Sequence, residues 1–209
     1  MGTEAGRSKT DGAKLRAFPT RLLRKETRSP LPVAHYQIDP QHTAAHFTVR
    51  HMMISNLKGD FSGVTGSVDF DPANPAATQV EATIDAATIS TREPQRDSHL
   101  RSPDFLDVER YPAITFCSTG IISRGDDGYD LSGELTIRGV TSEIKLQVES
   151  VTPEIKDPDG MVRRGASATA RIERKDFGLT WNAVLESGGF LVGDDVEIAI
   201  DVELVRKAE

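Results

Sequence analysis

From Val196 to Leu204, apolar Val196, Ile198, Ile200, Val202 and Leu204 alternate with Glu197, Ala199, Asp201 and Glu203. A period of two matches a pleated strand, whose successive side chains point to opposite faces, with one face buried and one wet. The same period recurs at Tyr129, Leu131, Gly133, Leu135 and Ile137, at Ile144, Leu146 and Val148, and at Val80, Ala82, Ile84 and Ala86. Ala166, Ala168, Ala170 and Ile172 repeat it with smaller residues, and Ala45, Phe47, Val49 and His51 share a face opposite His46, Thr48 and Arg50.

Turn residues separate these runs. Asp126-Asp127-Gly128, Arg138-Gly139-Val140-Thr141 and Asp157-Pro158-Asp159-Gly160 each precede a return strand and read as hairpins. Consecutive hairpins predict an antiparallel meander of about eight strands, and closing it removes edges that would invite aggregation. The expected fold is therefore all-β, an eight-stranded antiparallel barrel. One stretch breaks the pattern, 92–108, where Ser102-Pro103-Asp104 reads as a helix N-terminus and predicts a short helical insert.

Charge divides the chain at Ser29-Pro30-Leu31-Pro32. Residues 1–34 hold eight basic and three acidic side chains, a net of +5, whereas the whole chain is −7, so the remainder carries −12. The expected organisation is a flexible basic tail over 1–34 and a barrel over 35–209. A body so acidic repels phosphate backbones, and 6% aromatic residues give few stacking platforms, which argues against a nucleic-acid partner. The tail reads as a transit segment, a tether to a membrane surface or a solvated extension, and the sequence leaves the three open. It shows no apolar core of a secretory signal, from which a cytoplasmic protein is expected. The lone Cys117 cannot form an internal disulfide and is expected to be a buried, small strand residue.

An eight-stranded barrel either fills with its own side chains or accepts one slender ligand. Small residues at inward positions (Ala45, Ala82, Ala86, Gly133, Ala166, Ala168, Ala170) leave space, while Phe61, Phe70 and Trp181 are the candidates to fill it.

The fragments Asp39-Pro40-Gln41-His42-Thr43-Ala44-Ala45-His46-Phe47-Thr48-Val49-Arg50-His51, Gly59-Asp60-Phe61 with Gly66-Ser67-Val68-Asp69-Phe70-Asp71, and Arg96-Asp97-Ser98-His99-Leu100 with Asp104-Phe105 stand in that order. Tyr111-Pro112-Ala113-Ile114-Thr115-Phe116, Gly133-Glu134-Leu135-Thr136-Ile137-Arg138-Gly139-Val140-Thr141, Arg174-Lys175-Asp176-Phe177-Gly178-Leu179 and Val192-Gly193-Asp194-Asp195-Val196 follow. Together they resemble the YceI-like family over about residues 35–205. The resemblance implies an extended lipocalin-like barrel that binds a polyisoprenoid or related amphiphile in an apolar tunnel. It also implies that many relatives are periplasmic, and it makes a homodimer reasonable.

The ligand-binding set expected by strand parity is Phe47, Val49, His51, Ile84, Phe116, Leu135, Ile137, Ile172, Ile198 and Ile200. Phe105 and Phe177, within the matched fragments, complete its apolar part, and Arg96 and His99 are expected at the polar head of a bound lipid. The expected ligand is a polyprenyl phosphate or a quinone, with no cofactor. His42, His46 and His51 do not suggest a metal site: His46 and His51 face opposite sides, and His42 lies about 13 Å from His46 along an extended strand. Asp97 and His99 form a nominal acid–base pair, yet no Gly-x-Ser-x-Gly elbow accompanies them, and no catalysis is expected. Two classes compete with lipid binding: a protein-interaction or stress-response module, and an enzyme acting on a lipid or small aromatic compound.

Overall fold

The computed structural model describes residues 33–207, except 72, 73, 126, 127 and 187. The basic segment singled out in the sequence, up to residue 32, and the turn residues Asp126 and Asp127 lie outside the described residues. Eleven strands follow in order: β1 (Ala34–Ile38), β2 (Ala44–His51), β3 (Ser55–Phe61), β4 (Val64–Phe70), β5 (Gln79–Asp85), β6 (Ala113–Ser123), β7 (Tyr129–Ile137), β8 (Val140–Glu149), β9 (Ile155–Lys156), β10 (Met161–Glu173) and β11 (Val192–Lys207). Helix α1 (Pro94–Arg101) interrupts them between β5 and β6.

The pairings β11-β1-β4-β5-β6-β7-β8-β10 return to β11 and close an eight-stranded antiparallel ring. The closing ladder of β10 on β11 runs unbroken from Met161 opposite Lys207 to Glu173 opposite Asp195. The β2–β3 hairpin continues along the free part of β11, above β1, and the short β9 adds to β10. The period-two runs do what alternation requires. Leu131, Leu135, Ile137, Leu146, Ala168, Ile172 and Leu204 are buried, whereas Glu197, Ala199 and Asp201 face solvent.

Three expectations need correction. The helix begins at Pro94, not after Ser102: the Glu93 carboxylate accepts hydrogen bonds from the backbone N–H groups of Gln95 at 3.2 Å and Arg96 at 2.6 Å. Ser102 instead ends the helix, where its backbone N–H and its hydroxyl both bond the His99 carbonyl. The proline-led start was read nine residues too late because both Pro94 and Pro103 follow a residue able to cap. Ala86 is buried but leaves the strand, because Asp85 accepts from the Ala87 N–H at 2.9 Å and opens a 3₁₀ turn over Ala86–Thr88. Cys117 is exposed: Ile114 and Phe116 take the inward parity of β6, and Cys117 lies on the outer face between Glu81 and Glu134 of the neighbouring strands.

The β2–β3 turn carries backbone strain. Met52 and Met53 both adopt positive φ, 49° and 61°, where the Ile54 N–H bonds the His51 carbonyl. Turns of this hand favour Asn-Gly, and a side chain in the left-handed region costs about 1–2 kcal/mol. Met53 is also 62% exposed and so has little packing to lose. Met53→Gly is therefore expected to raise unfolding stability by about 1 kcal/mol in urea titration, and a loss of stability would show that the methionine packs usefully.

Candidate functional site

Inside the ring the side chains leave a cavity of about 340 Å³, walled almost wholly by Val, Ile, Leu, Phe and Ala. Its wall includes Phe47, Val49, Ile84, Phe105, Phe116, Leu135, Ile137, Ile172, Ile198 and Ile200 from the expected set. Phe61 and Phe70 also border it, and Trp181 does not.

Glycines keep two aromatic rings from blocking this space. A Cβ on Gly133 would stand 2.3 Å from Phe116 Cζ and 2.6 Å from the Cys117 carbonyl. One on Gly59 would stand 2.4 Å from Phe47 Cζ and 2.8 Å from the Ser90 carbonyl. Each ring thus lies against bare backbone of the next strand rather than standing into the lumen. The alanines add width: Ala45, Ala82, Ala166 and Ala168 border the cavity, while Ala86 and Ala170 pack outside it.

Four residues of the expected set stand outside the wall. His51 is the last residue of β2, opposite Val192 and Ser55, and it does not border the cavity although Val49 two residues before it does. Arg96 turns to Thr91, donating from Nε to Oγ1 at 2.7 Å and from a terminal nitrogen to the carbonyl at 3.1 Å. His99 Nε2 lies 2.9 Å from Asp104, and the ring packs edge-on to Phe105 and Trp181 at centroid distances of 5.1 and 4.7 Å. Phe177 is buried in the 3₁₀ turn Arg174–Phe177 as core.

The nominal pair of Asp97 and His99 is not assembled. The buried Asp97 carboxylate accepts from the Thr91 backbone N–H at 2.7 Å and the Thr91 hydroxyl at 2.5 Å, whereas His99 pairs with Asp104. These groups hold the insert together.

Three arginines fix that end of the barrel. Arg101 donates to the carbonyls of Ala87 at 2.8 Å and Ile89 at 2.6 Å, tying α1 to the 3₁₀ turn that follows β5. Arg138 donates to the carbonyls of Pro103 at 2.7 Å and Gly178 at 3.1 Å. Arg174, only 3% exposed and bordering the cavity, donates to the carbonyls of Gly193, Leu179 and Trp181 and to the Asp194 carboxylate. Irregular segments have no ladder to satisfy their carbonyls, and a forked guanidinium serves several at once. Sequence periodicity gave no signal for Arg174, because its role depends on where loops meet.

The opposite end is built differently. The Tyr36 hydroxyl donates to Glu154, which also pairs with Arg206 at 3.2 Å. Burial, and the bond to Glu154, raise the Tyr36 phenol above its ordinary value, and the same bond holds Glu154 below its own. Arg164 points inward here, with its guanidinium carbon 4.8 Å from the Phe70 ring centroid and its Nε donating to the Thr152 carbonyl at 2.9 Å.

Among the described residues, Asp39, His42 and Glu203 form the only group close enough to be tested as metal ligands, their atoms lying within 4.8 Å of one another. Arg163 occupies that position chemically. It pairs with Asp39 at 2.7 Å, Asp157 at 2.6 Å and Glu203. His46 and His51 are not part of the group.

These features define a lipocalin-like antiparallel barrel around an apolar lumen. A YceI-like domain matches residues 36–204, and the chain belongs to the YceI-like family. It is 39% identical over 176 residues to a UPF0312 protein of Pectobacterium atrosepticum, covering 83% of this chain and 88% of that one. Among solved structures it is similar to BcnA of Burkholderia cenocepacia, with a TM-score of 0.69 and 23% identity over 79% of this chain and 98% of that one. It also resembles a polyisoprenoid binding domain from Saccharophagus degradans, with a TM-score of 0.56 and 15% identity over 82% of this chain and 98% of that one. The two structures show the shared fold.

Two outcomes are expected. Gly133→Ala must displace Phe116 and cannot displace the Cys117 carbonyl cheaply, so it should cost about 1–3 kcal/mol in chemical denaturation. Unchanged stability would mean that the ring has room to move. The bonds from Arg163 and His42 hold Asp39 at about 2, below its ordinary 3.8. A carboxyl depressed on folding stabilises the protein above its unfolded value, and that contribution fades as pH falls through the folded one. Thermal melts should therefore lose stability from pH 4 to 2, and Arg163→Gln should melt lower near neutrality while losing less over that acid window.

Proposed function

We propose that the protein binds a long apolar lipid of isoprenoid type inside the barrel and carries or stores it without chemical turnover. The observation that supports this most directly is the apolar lumen itself. At about 24 cal/mol per Å³, 340 Å³ without apolar contacts represents about 8 kcal/mol, comparable to the whole net stability of an ordinary domain. Water offsets little of this, since it needs two to four polar partners and the wall supplies few. A slender chain supplies the missing contacts, at about 0.8 kcal/mol for each methylene buried. Membership of the YceI-like family, and the likeness in fold to a domain named for polyisoprenoid binding, support an isoprenoid chain.

The absence of turnover is inferred from how the reactive groups are spent. Asp97 and His99 bond different partners, and Cys117 lies on the outer surface between two glutamates. None is paired with a base across the lumen, as nucleophilic catalysis would require.

Native mass spectrometry on protein purified without detergent, followed by organic extraction, tests the proposal. A bound species of several hundred daltons, released only on denaturation and containing an isoprenoid chain, is the expected result. Protein that carries no such species, and takes up neither a polyprenyl phosphate nor a quinone when offered, would overturn it.

A further inference from the structure

Two guanidinium groups border the cavity, and only one of them is spent. Arg174 uses Nε and both terminal nitrogens on three carbonyls and a carboxylate. Arg164 uses Nε alone, on the Thr152 carbonyl, and its terminal nitrogens have no partner among the described residues. The Thr78 side chain borders the same cavity at 7% exposure, and its hydroxyl likewise lacks a hydrogen bond among the described residues. Both belong to the end where β1 begins and β4 finishes: Phe70, under the Arg164 guanidinium, is the last residue of β4, and Thr78 precedes β5.

The Glu154 carboxylate beside Arg164 is already engaged, held by Arg206 and by the Tyr36 hydroxyl. Segment 150–154 closes in here, through the Thr152 N–H on the Gly165 carbonyl at 2.9 Å and the Gly165 N–H on Thr152 Oγ1 at 2.8 Å. The buried Thr78 hydroxyl, with no hydrogen bond among the described residues, is costly unless a ligand satisfies it, and the Arg164 terminal nitrogens are donors still available at the same end.

Taking lipid binding in the lumen as given, we propose that Arg164 and Thr78 seat the ligand's head, and that this head is an anionic oxygen group, a phosphate or a carboxylate. The chain then lies along the lumen toward α1. Guanidinium donors in a fork match the oxygens of either anion, and the Thr78 hydroxyl adds a third donor. A neutral carbonyl or alcohol would accept only the weaker hydrogen bonds of an uncharged partner from the same donors. Arg96 and His99, the residues that sequence favoured for the head, lie at the other end, where Arg96 holds Thr91 through Nε and one terminal nitrogen and His99 Nε2 meets Asp104.

Three ligands with one chain separate the head from the tail: geranylgeraniol, geranylgeranoic acid and geranylgeranyl phosphate, titrated into delipidated full-length protein by calorimetry. Wild type should bind at least one of the two acids about tenfold or more tightly than the alcohol, as charge-assisted hydrogen bonds imply, and the tighter acid identifies the head. Arg164→Met should bring acid and alcohol to comparable affinity. Arg171→Met, the same charge change on the outer face of β10, should keep the preference. Thr78→Val should lower acid affinity about threefold, and it carries the test if Arg164→Met fails to fold. Equal affinities in wild type, or a preference that survives both Arg164→Met and Thr78→Val, would overturn the head site while leaving chain binding intact. Failure of all three ligands to bind would overturn the lipid-binding reading and this inference with it.

Discussion

The ladder that joins β10 to β11 is the constraint on which the rest depends. Without it the ring opens, and two long strands expose edge groups that water or another chain must satisfy. With it, the inward and outward sets of every strand are fixed together, because a slip of one residue would turn a whole apolar face to solvent. Closure also sets the lumen's width, since strand number determines the radius of a barrel. The cavity is thus a consequence of ring size and of which residues point inward.

What keeps that lumen open is subtraction at chosen positions. Large residues line most of the wall, yet Ala166 and Ala168 stand together on β10, and Phe47 and Phe116 lie flat against glycines of the adjacent strands. A ring over bare backbone buries its area without projecting its length. At the α1 end the problem is opposite, because irregular chain must be held over the barrel without a ladder. Arg101, Arg138 and Arg174 solve it by spreading donors across carbonyls from segments far apart in sequence.

Much of the barrel was legible because alternation is local. The apolar face of β11 from Val196 to Leu204 borders the cavity as its period requires, and so do Leu131, Leu135 and Ile137 on β7. Parity failed where a strand did not continue. Ala86 follows the last residue of β5, and His51 is the last residue of β2, at the limit of what its alternation covers. The helix start was misplaced because Glu93, a weaker capping residue by reputation than Ser102, makes two backbone bonds in the folded chain. The polar part of the site was legible only in part, since Arg164 shares the parity of Ala166, Ala168 and Ile172 on β10. Alternation along β10 separates Arg164 from Arg163, but it does not say that one keeps donors free at the lumen while the other gathers three carboxylates outside it.

That adjacent pair shows how a pleat sorts identical side chains into different chemistry. Arg163 meets Asp39, Asp157 and Glu203, so its charge is more than matched. Arg164, one residue on, meets Phe70 and the Thr152 carbonyl within electrostatic reach of Glu154, and its terminal nitrogens have no hydrogen bond among the described residues. The hydrophobic effect has no direction along the axis of an apolar tube, so the wall alone would hold a chain at any depth. A few fixed polar groups give position and orientation to what apolar area merely retains. An unspent guanidinium at one end and a spent one at the other make the two ends of the lumen inequivalent. A barrel whose wall is otherwise uniform thereby acquires a direction.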